Sequence, residues 1–305
     1  MPAILTILGS SAALPSNNRN LSSHLLETDA TSFLFDCGEG TQFQLKKYKK
    51  KIHRITAIFI SHLHGDHFFG LPGLLSSMHM LDRIETLTIY GPVGLKEVIW
   101  PLFTISGSVF NYLVEFVEIS TSTKIELLQT AEYTIFTFPL KHKIPTFGFM
   151  YLKSSLGLNI KKDFVKSQQI PKEWYARIKN GENYIDSNGV EYLNSEITAP
   201  AKKRIFYAYC SDTLYFEGLA EWVKGVSVLY HESTFLNEHQ EDAANKMHST
   251  AQQAASVAKA ADVGQLLLGH YSARYKSIEE FKIEAKQIFE SSKLAIEGLE
   301  IKLAK

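Results

Sequence analysis

Residues 55–67 read Ile55-Thr56-Ala57-Ile58-Phe59-Ile60-Ser61-His62-Leu63-His64-Gly65-Asp66-His67. The first seven form a short, nearly continuous apolar run of the kind that makes a strand buried on both faces. The next six hold three histidines and an aspartate, placed where that strand must end. Imidazole nitrogen and carboxylate oxygen suit a borderline-soft divalent ion such as Zn²⁺, and a loop at a strand end can turn alternate side chains inward. The stretch therefore sets two expectations: a buried strand in a layered α/β structure, and a metal site at its carboxyl end.

On the N-terminal side, residues 3–9, 22–27 and 31–36 are short β-rich runs separated by turns, which predicts an antiparallel start. A helix-compatible stretch covers 41–50. On the other side, 74–81 and 93–103 read as helices, and 86–90 and 113–119 as strands. The second half repeats this grammar, with strands at 132–138, 148–152, 205–210, 226–230, 265–268 and 295–303 and helices at 216–223, 250–261 and 277–289. Two similar halves of sheet and helix predict two sheets packed face to face around one core, so that residues 1–305 form a single domain.

One segment breaks the pattern. Residues 153–203 turn polar, with Lys161, Lys162, Lys166, Lys172, Arg177, Lys179 and Lys202 scattered among Asn, Gly and Pro. From Lys153 to Arg204 there are ten basic and six acidic residues, a net +4. Insertions of this length without a full core of their own serve as lids, binding arms or solvated excursions.

The chain has 305 residues, 45% of them hydrophobic, with 32 Lys+Arg against 32 Asp+Glu. That apolar content excludes a disordered protein. Zero net charge gives no global attraction to nucleic acid, so contact with a polyanion must come from local patches. Two exist: the arm, and Lys46-Lys47-Tyr48-Lys49-Lys50-Lys51, which also reads as a solvated helix face. No run of 18 apolar residues occurs, so no membrane helix is expected. The apolar opening is not preceded by Lys or Arg and reads as a strand rather than a signal sequence. Cys37 and Cys210 are too few for a disulfide framework and fit a reducing cytoplasm.

Three further donors each terminate an apolar run: His142, Asp212 and His270. Any one alone reads as a structural histidine or a turn aspartate. Together with a loop that already exceeds the three protein ligands a catalytic zinc needs, they point to a second metal. Two ions about 3.5–4 Å apart can activate a water and stabilise charge on a phosphoryl or acyl centre. Such a centre serves carbon esters, thioesters and phosphodiesters alike, so it does not choose the substrate.

These residues resemble the metallo-β-lactamase superfamily, and more specifically its ribonuclease Z (tRNA 3′-endonuclease) branch in the short, dimeric form. The likeness rests on Leu8-Gly9-Ser10 with Pro15, Arg19-Asn20 and Ser22-Ser23, on Phe35-Asp36-Cys37-Gly38-Glu39-Gly40-Thr41-Gln42, and on the His62 loop. It continues through residues 142–148, His231-Glu232-Ser233-Thr234, His248-Ser249-Thr250-Ala251, and Gly269-His270-Tyr271-Ser272-Ala273-Arg274-Tyr275. The resemblance implies an αβ/βα sandwich of two mixed sheets with helices outside, and two Zn²⁺ per chain, with Mn²⁺ accommodated by the same donors. It implies that His62, His64 and His142 hold one ion, Asp66, His67 and His270 the other, and Asp212 lies between. Asp66 is then also the proton acceptor, and His248 with Glu232 supplies a proton to the leaving ribose oxygen. His248 also reads as an exposed residue ahead of a helix cap.

A helix N-terminus with hydroxyls makes a phosphate site, so Ser233, Ser249 and Thr250 are expected on substrate phosphate, and Arg274 on a phosphate or a terminal nucleotide. A surface ion pair is the other reading of Arg274. The implied partner is precursor tRNA, gripped by the arm. The chain departs from the family at Ser211 and Ser233, where Gly and Ala are common, and at Gln169-Ile170-Pro171-Lys172-Glu173-Trp174-Tyr175, where a Gly- and Pro-rich stretch is usual. Two rival functions remain at this stage: a superfamily phosphodiesterase acting on small or cyclic esters, and a non-catalytic RNA-binding scaffold.

Overall fold

The computed structural model describes residues 3–153, 158–200 and 204–303. Its strands, in chain order, are β1 (Ala3–Gly9), β2 (Ser23–Glu27), β3 (Ser32–Phe35), β4 (Ile55–Phe59), β5 (Leu87–Pro92), β6 (Val114–Ile119), β7 (Ile125–Gln129), β8 (Tyr133–Leu140) and β9 (Thr146–Lys153). The arm contributes β10 (Leu158–Ile160), β11 (Tyr184–Ile185), β12 (Glu191–Tyr192) and β13 (Thr198–Pro200). Then follow β14 (Arg204–Cys210), β15 (Val228–Glu232), β16 (Gln265–Gly269), β17 (Ser292–Leu294) and β18 (Glu300–Leu303). Two seven-stranded mixed sheets result, in the orders β18-β1-β2-β3-β4-β5-β6 and β17-β16-β15-β14-β9-β8-β7. In each, an antiparallel half gives way to a parallel half, at β3–β4 in the first sheet and at β9–β14 in the second.

The sheets face each other across an aromatic core that includes Phe33, Phe35, Phe59, Phe149, Tyr151, Tyr207, Tyr209 and Tyr230. Phe35 stacks on Phe59 and Phe59 on Tyr90, with ring centroids 5.3 and 5.0 Å apart. Each such ring removed from water contributes about 2–3 kcal/mol. The helices Leu71–Met80 and Leu95–Ile105 cover the outer face of the first sheet, and Ala251–Ala260 and Glu279–Lys286 that of the second. This is the expected αβ/βα sandwich. The apolar run at 55–59 forms a strand in which only Thr56 is exposed, flanked by β3 and β5 in parallel.

Three expectations are corrected. The last strand, expected over 295–303, starts only at Glu300: β18 joins the first sheet, and the chain before it, Ser292–Leu294, forms β17 in the second. The break lies at Gly298, whose φ of +86° a residue with a Cβ adopts only under strain, and whose N–H donates to Ile7 O. The helix expected over 216–223 shrinks to Leu219–Trp222. The arm, read as lacking a full core, carries a small one: Ile170, Ile178, Tyr184 and Ile197, flanked by Phe164, Trp174 and Tyr192. Two short helices, Lys162–Ser167 and Lys172–Lys179, and two two-stranded ladders frame it. Lys202, counted in the basic arm, lies outside the described residues.

Candidate metal centre

In open α/β sheets, functional groups gather beyond the carboxyl ends of parallel strands. Here the two parallel halves aim at one place. His62 follows β4, Asp212 follows β14, Glu232 ends β15 and His270 follows β16, while His142 lies just past β8. The loop after β4 starts the short helix Gly65–Phe68, which swings Asp66 and His67 back toward the strand ends. Gly38 permits this, because a Cβ there would meet Asp66 O at 2.5 Å.

All seven residues named as ligands converge. His62, His64, His142 and Asp212 offer donor atoms within 4.8 Å of one another, and Asp66, His67 and His270 do the same; His248 lies within such a distance of Asp212 and His270. Hydrogen bonds fix which imidazole nitrogen each ring presents. His142 Nδ1–H donates to Met247 O at 2.8 Å, and His67 Nδ1–H donates to Asp36 Oδ2 at 2.6 Å. His62 Nδ1–H donates to Ser61 Oγ at 3.0 Å, since the Ser61 hydroxyl proton is given to Asp36 Oδ2 at 2.8 Å. His270 Nδ1–H donates to Thr234 Oγ1 at 2.9 Å, whose own proton is given to Glu232 Oε2 at 2.8 Å. All four rings therefore turn an Nε2 lone pair inward.

Those lone pairs face other acceptors. His62 Nε2 and His142 Nε2 lie 3.0 and 3.3 Å from His64 Nδ1, and His67 Nε2 lies 3.3 Å from His270 Nε2. Asp212 Oδ1 is 3.4 and 3.2 Å from His67 and His270 Nε2, is buried, and has no hydrogen bond; Asp212 Oδ2 is 3.5 Å from His62 Nε2. So many nitrogens and carboxylate oxygens 3.0–3.5 Å apart have the spacing that a shared cation imposes. Two nitrogens each about 2.05 Å from one zinc at the tetrahedral angle would lie about 3.3 Å apart. The donor set fits divalent ions, in two clusters with Asp212 offering one oxygen to each.

The electrostatics agree. Burial, with the neighbouring His67, His64 and His142, holds His62 well below the usual imidazole range, as a neutral ligand requires. Burial opposes charge on His67, yet Asp66, Asp212 and Asp36 outweigh it and raise its pKa well above 6.5, the sign of a pocket rich in negative charge. Asp66 is partly buried, which opposes its charge, yet His67 and His270 outweigh this and hold it far below the carboxylate range. Its Oδ2 also accepts the Ala13 N–H at 2.8 Å. Ala13, Asp36, Met247 and His270, four of nine non-glycine residues with positive φ among the described ones, all touch this site. Such backbone costs about 1–3 kcal/mol per residue and persists where the surroundings enforce it.

His248 and Glu232 form a pair at the edge of the cluster. Glu232 is fully buried; its Oε1 accepts His248 Nδ1–H at 2.9 Å and the Thr213 and Ser249 amides at 3.1 and 2.9 Å. Burial opposes both charges, but the pairing prevails: His248 is pushed up to about 9 and Glu232 down to about 2. Among the described residues nothing engages His248 Nε2.

The hydroxyls expected on substrate phosphate lie inside the fold. Ser233, Ser249 and Thr250 are buried. Ser233 Oγ donates to Gly269 O and Ser249 Oγ to Thr213 O, while Thr250 caps its helix in a box with Gln253. Each of the three hydroxyls thus has a partner within the fold. Arg274 pairs with Asp242 at 3.0 Å, the surface ion pair, while its guanidinium sits 5.0 Å above the Phe235 ring that flanks His248. Asp36 and the Ala13 amide were not assigned roles from sequence. A single aspartate after a strand carries no signal of what it will face, and a backbone amide carries none at all.

Two face-to-face mixed sheets with a His/Asp cluster at their shared strand ends define a metallo-β-lactamase fold protein with a divalent-metal site. The metallo-β-lactamase fold protein YhfI of Bacillus subtilis superposes with a TM-score of 0.68 at 18% identity over 98% of each chain. A family model described as Anti-Pycsar protein Apyc1 matches residues 3–174, which hold the His62 loop and His142 but not Asp212, Glu232, His248 or His270. The ribonuclease Z of Phocaeicola vulgatus is 39% identical over 297 residues, 97% of this chain and 96% of that one. Human tRNase Z, short form, superposes with a TM-score of 0.73 at 27% identity, covering 99% of this chain and all of that one. The chain belongs to the ribonuclease Z family.

Proposed function

We propose that this chain is a metal-dependent endoribonuclease that removes the 3′ trailer of precursor tRNA, leaving a 3′-hydroxyl on the tRNA and a 5′-phosphate on the trailer. The observation that carries the reading is the His248–Glu232 pair beside the donor cluster, because expelling a ribose oxygen requires a proton donor held charged at neutral pH. Zn²⁺ suits the imidazole-rich set, and Mn²⁺ is accommodated by the same atoms. His62, His64 and His142 would hold one ion, Asp66, His67 and His270 the other, and Asp212 would touch both.

Divalent ions, when bound by these residues, would supply an activated water and a counter-charge for the phosphoryl oxygens. Asp66, fixed by the Ala13 amide, orients that water and takes its proton. His248 gives a proton to O3′ as the P–O3′ bond breaks, while Glu232 holds its ring and its charge. The water oxygen stays on the trailer phosphate.

The arm supplies an exosite for the tRNA body: a folded, basic projection that tracks phosphates. Of the Lys46–Lys51 patch, Lys50 is spent between Glu27 and Glu300, at 2.7 Å each, which leaves four lysines. A second copy of the chain would cover the exposed Met80, Leu81, Ile84, Leu102 and Ile105 on the first sheet's helical layer, giving a homodimer. The buried free thiols of Cys37 and Cys210 fit the cytoplasm, and no helix among the described residues is long and apolar enough to cross a membrane. The test is a 3′-extended tRNA transcript incubated with the zinc-loaded protein, with and without chelator. Cleavage at the trailer junction that chelator and Asp66→Ala abolish is expected; an intact transcript in the wild-type lane overturns the proposal.

A further inference from the structure

The Asp36 carboxylate is fully buried and accepts four hydrogen bonds. Its Oδ1 takes the Ser61 N–H at 2.7 Å. Its Oδ2 takes the Ser61 hydroxyl at 2.8 Å, His67 Nδ1–H at 2.6 Å and the Tyr209 phenol at 2.7 Å. Asp36, Ser61 and His67 all belong to the first sheet and its loops. Tyr209 is the one donor of the four that comes from the second sheet, on β14.

Three positions after Tyr209, beyond the end of β14, stands Asp212, whose Oδ1 lies 3.4 Å from the other nitrogen of His67. A ring therefore closes through both sheets: His67 Nδ1 to Asp36, Asp36 to Tyr209, along β14 to Asp212, and back to His67 Nε2. The phenol is one of the polar links that cross the sheet interface at this point; another joins Ser61 Oγ to Ser211 Oγ at 3.0 Å. Tyr209 is itself held, fully buried, stacked on Tyr230 with centroids 5.0 Å apart at 11°, and against the His24 edge at 5.0 Å.

We propose that Tyr209 is a positioning residue for the metal centre: its hydroxyl, through Asp36, sets His67 of the first sheet against Asp212 of the second. This rests on the metal-binding reading above. Without the hydroxyl, Asp36 keeps its three donors from the first sheet but loses its direct tie to β14, and the spacing of His67 from Asp212 rests on the Ser61–Ser211 hydrogen bond and on packing. Partners that orient a metal-bound histidine typically affect affinity 10–100-fold. The stacking neighbour Tyr230 supplies an internal control, since its hydroxyl is buried without a hydrogen-bond partner.

The experiment is competitive titration of metal-stripped wild type, Tyr209→Phe and Tyr230→Phe with Zn²⁺ against a chromophoric chelator, alongside thermal melts of the stripped proteins. Expected is at least a tenfold loss of affinity for one of the two ions in Tyr209→Phe, with the other within about threefold, and wild-type values in Tyr230→Phe. Equal affinities in Tyr209→Phe and wild type overturn the assignment, as does an equal loss in Tyr230→Phe, which would mean general loosening of the core. Should Tyr209→Phe not fold, 4-fluorophenylalanine at position 209 fills the hydroxyl's place without its proton; an unchanged affinity then overturns the assignment. Wild-type protein that bound no ion would overturn the metal reading itself, and this assignment with it.

Discussion

Replacing Glu232 by Gln removes the charge that keeps His248 protonated while keeping the side chain's volume. In the native pair His248 is raised from 6.5 to about 9, burial opposing and Glu232 prevailing. Without the carboxylate the imidazole loses its main support and falls back toward the ordinary 6.5, burial lowering it and Asp212 still raising it. At pH 8 a group of pKa 9 is about nine-tenths protonated and one of pKa 6.5 about 3%, so the step that protonates the leaving oxygen slows by up to about 30-fold. At pH 6 both are mostly protonated, and the defect shrinks to within about twofold. The assay is single-turnover cleavage of a precursor tRNA from pH 5.5 to 9.5 at saturating metal, with circular dichroism as the folding control. A pH-independent loss would refute a proton-donor role for His248 and reduce Glu232 to a structural carboxylate. The sign also holds for stability. His248's contribution is full below 6.5 and fades as pH rises through about 9, and that of Glu232 is full above 4.5 and fades as pH falls through about 2.

Deleting residues 155–200 abolishes cleavage of precursor tRNA but spares a small chromogenic phosphodiester, because the arm has its own core and the sheets close without it; parallel loss on both substrates would count against the exosite. Thr250→Ala dismantles the capping box of the helix Ala251–Ala260 and lowers stability by about 1 kcal/mol, read as a melting shift of a few degrees, with cleavage unchanged at 25 °C. A lower rate of substrate binding in that variant would restore the phosphate role that its burial denies. Gly38→Ala pushes a Cβ into Asp66 O and weakens metal binding, measured by chelator competition; unaltered affinity would show that the loop tolerates the shift.

The sandwich was legible because its two signals are short-range: an apolar run ending in His-x-His-x-Asp-His, and a repeat of strand and helix grammar in each half. The meeting of the candidate donors was legible because His62 opens the loop after β4 while Asp212 and His270 follow β14 and β16, and parallel strands deliver their carboxyl ends to one edge. What sequence did not show is which hydroxyls face substrate. Ser249 and Thr250 look like an anion site in one dimension, yet the carbonyl of Thr213 and the amide of Gln253 claim them in three. The late start of the last strand hinges on one glycine, Gly298, whose left-handed backbone a strand pattern conceals. β7, half exposed at a sheet edge, has no alternation to read. The Tyr209–Asp36 link joins residues 173 positions apart, and nothing local announces it.

The central claim is that seven side chains from two sheets hold a pair of divalent ions, and anomalous diffraction at the zinc edge from crystals grown with Zn²⁺ tests it most directly. The account predicts two peaks about 3.5–4 Å apart, one against His62, His64 and His142, the other against Asp66, His67 and His270, with Asp212 reaching both. A single peak, or density elsewhere with these histidines unligated, would contradict it.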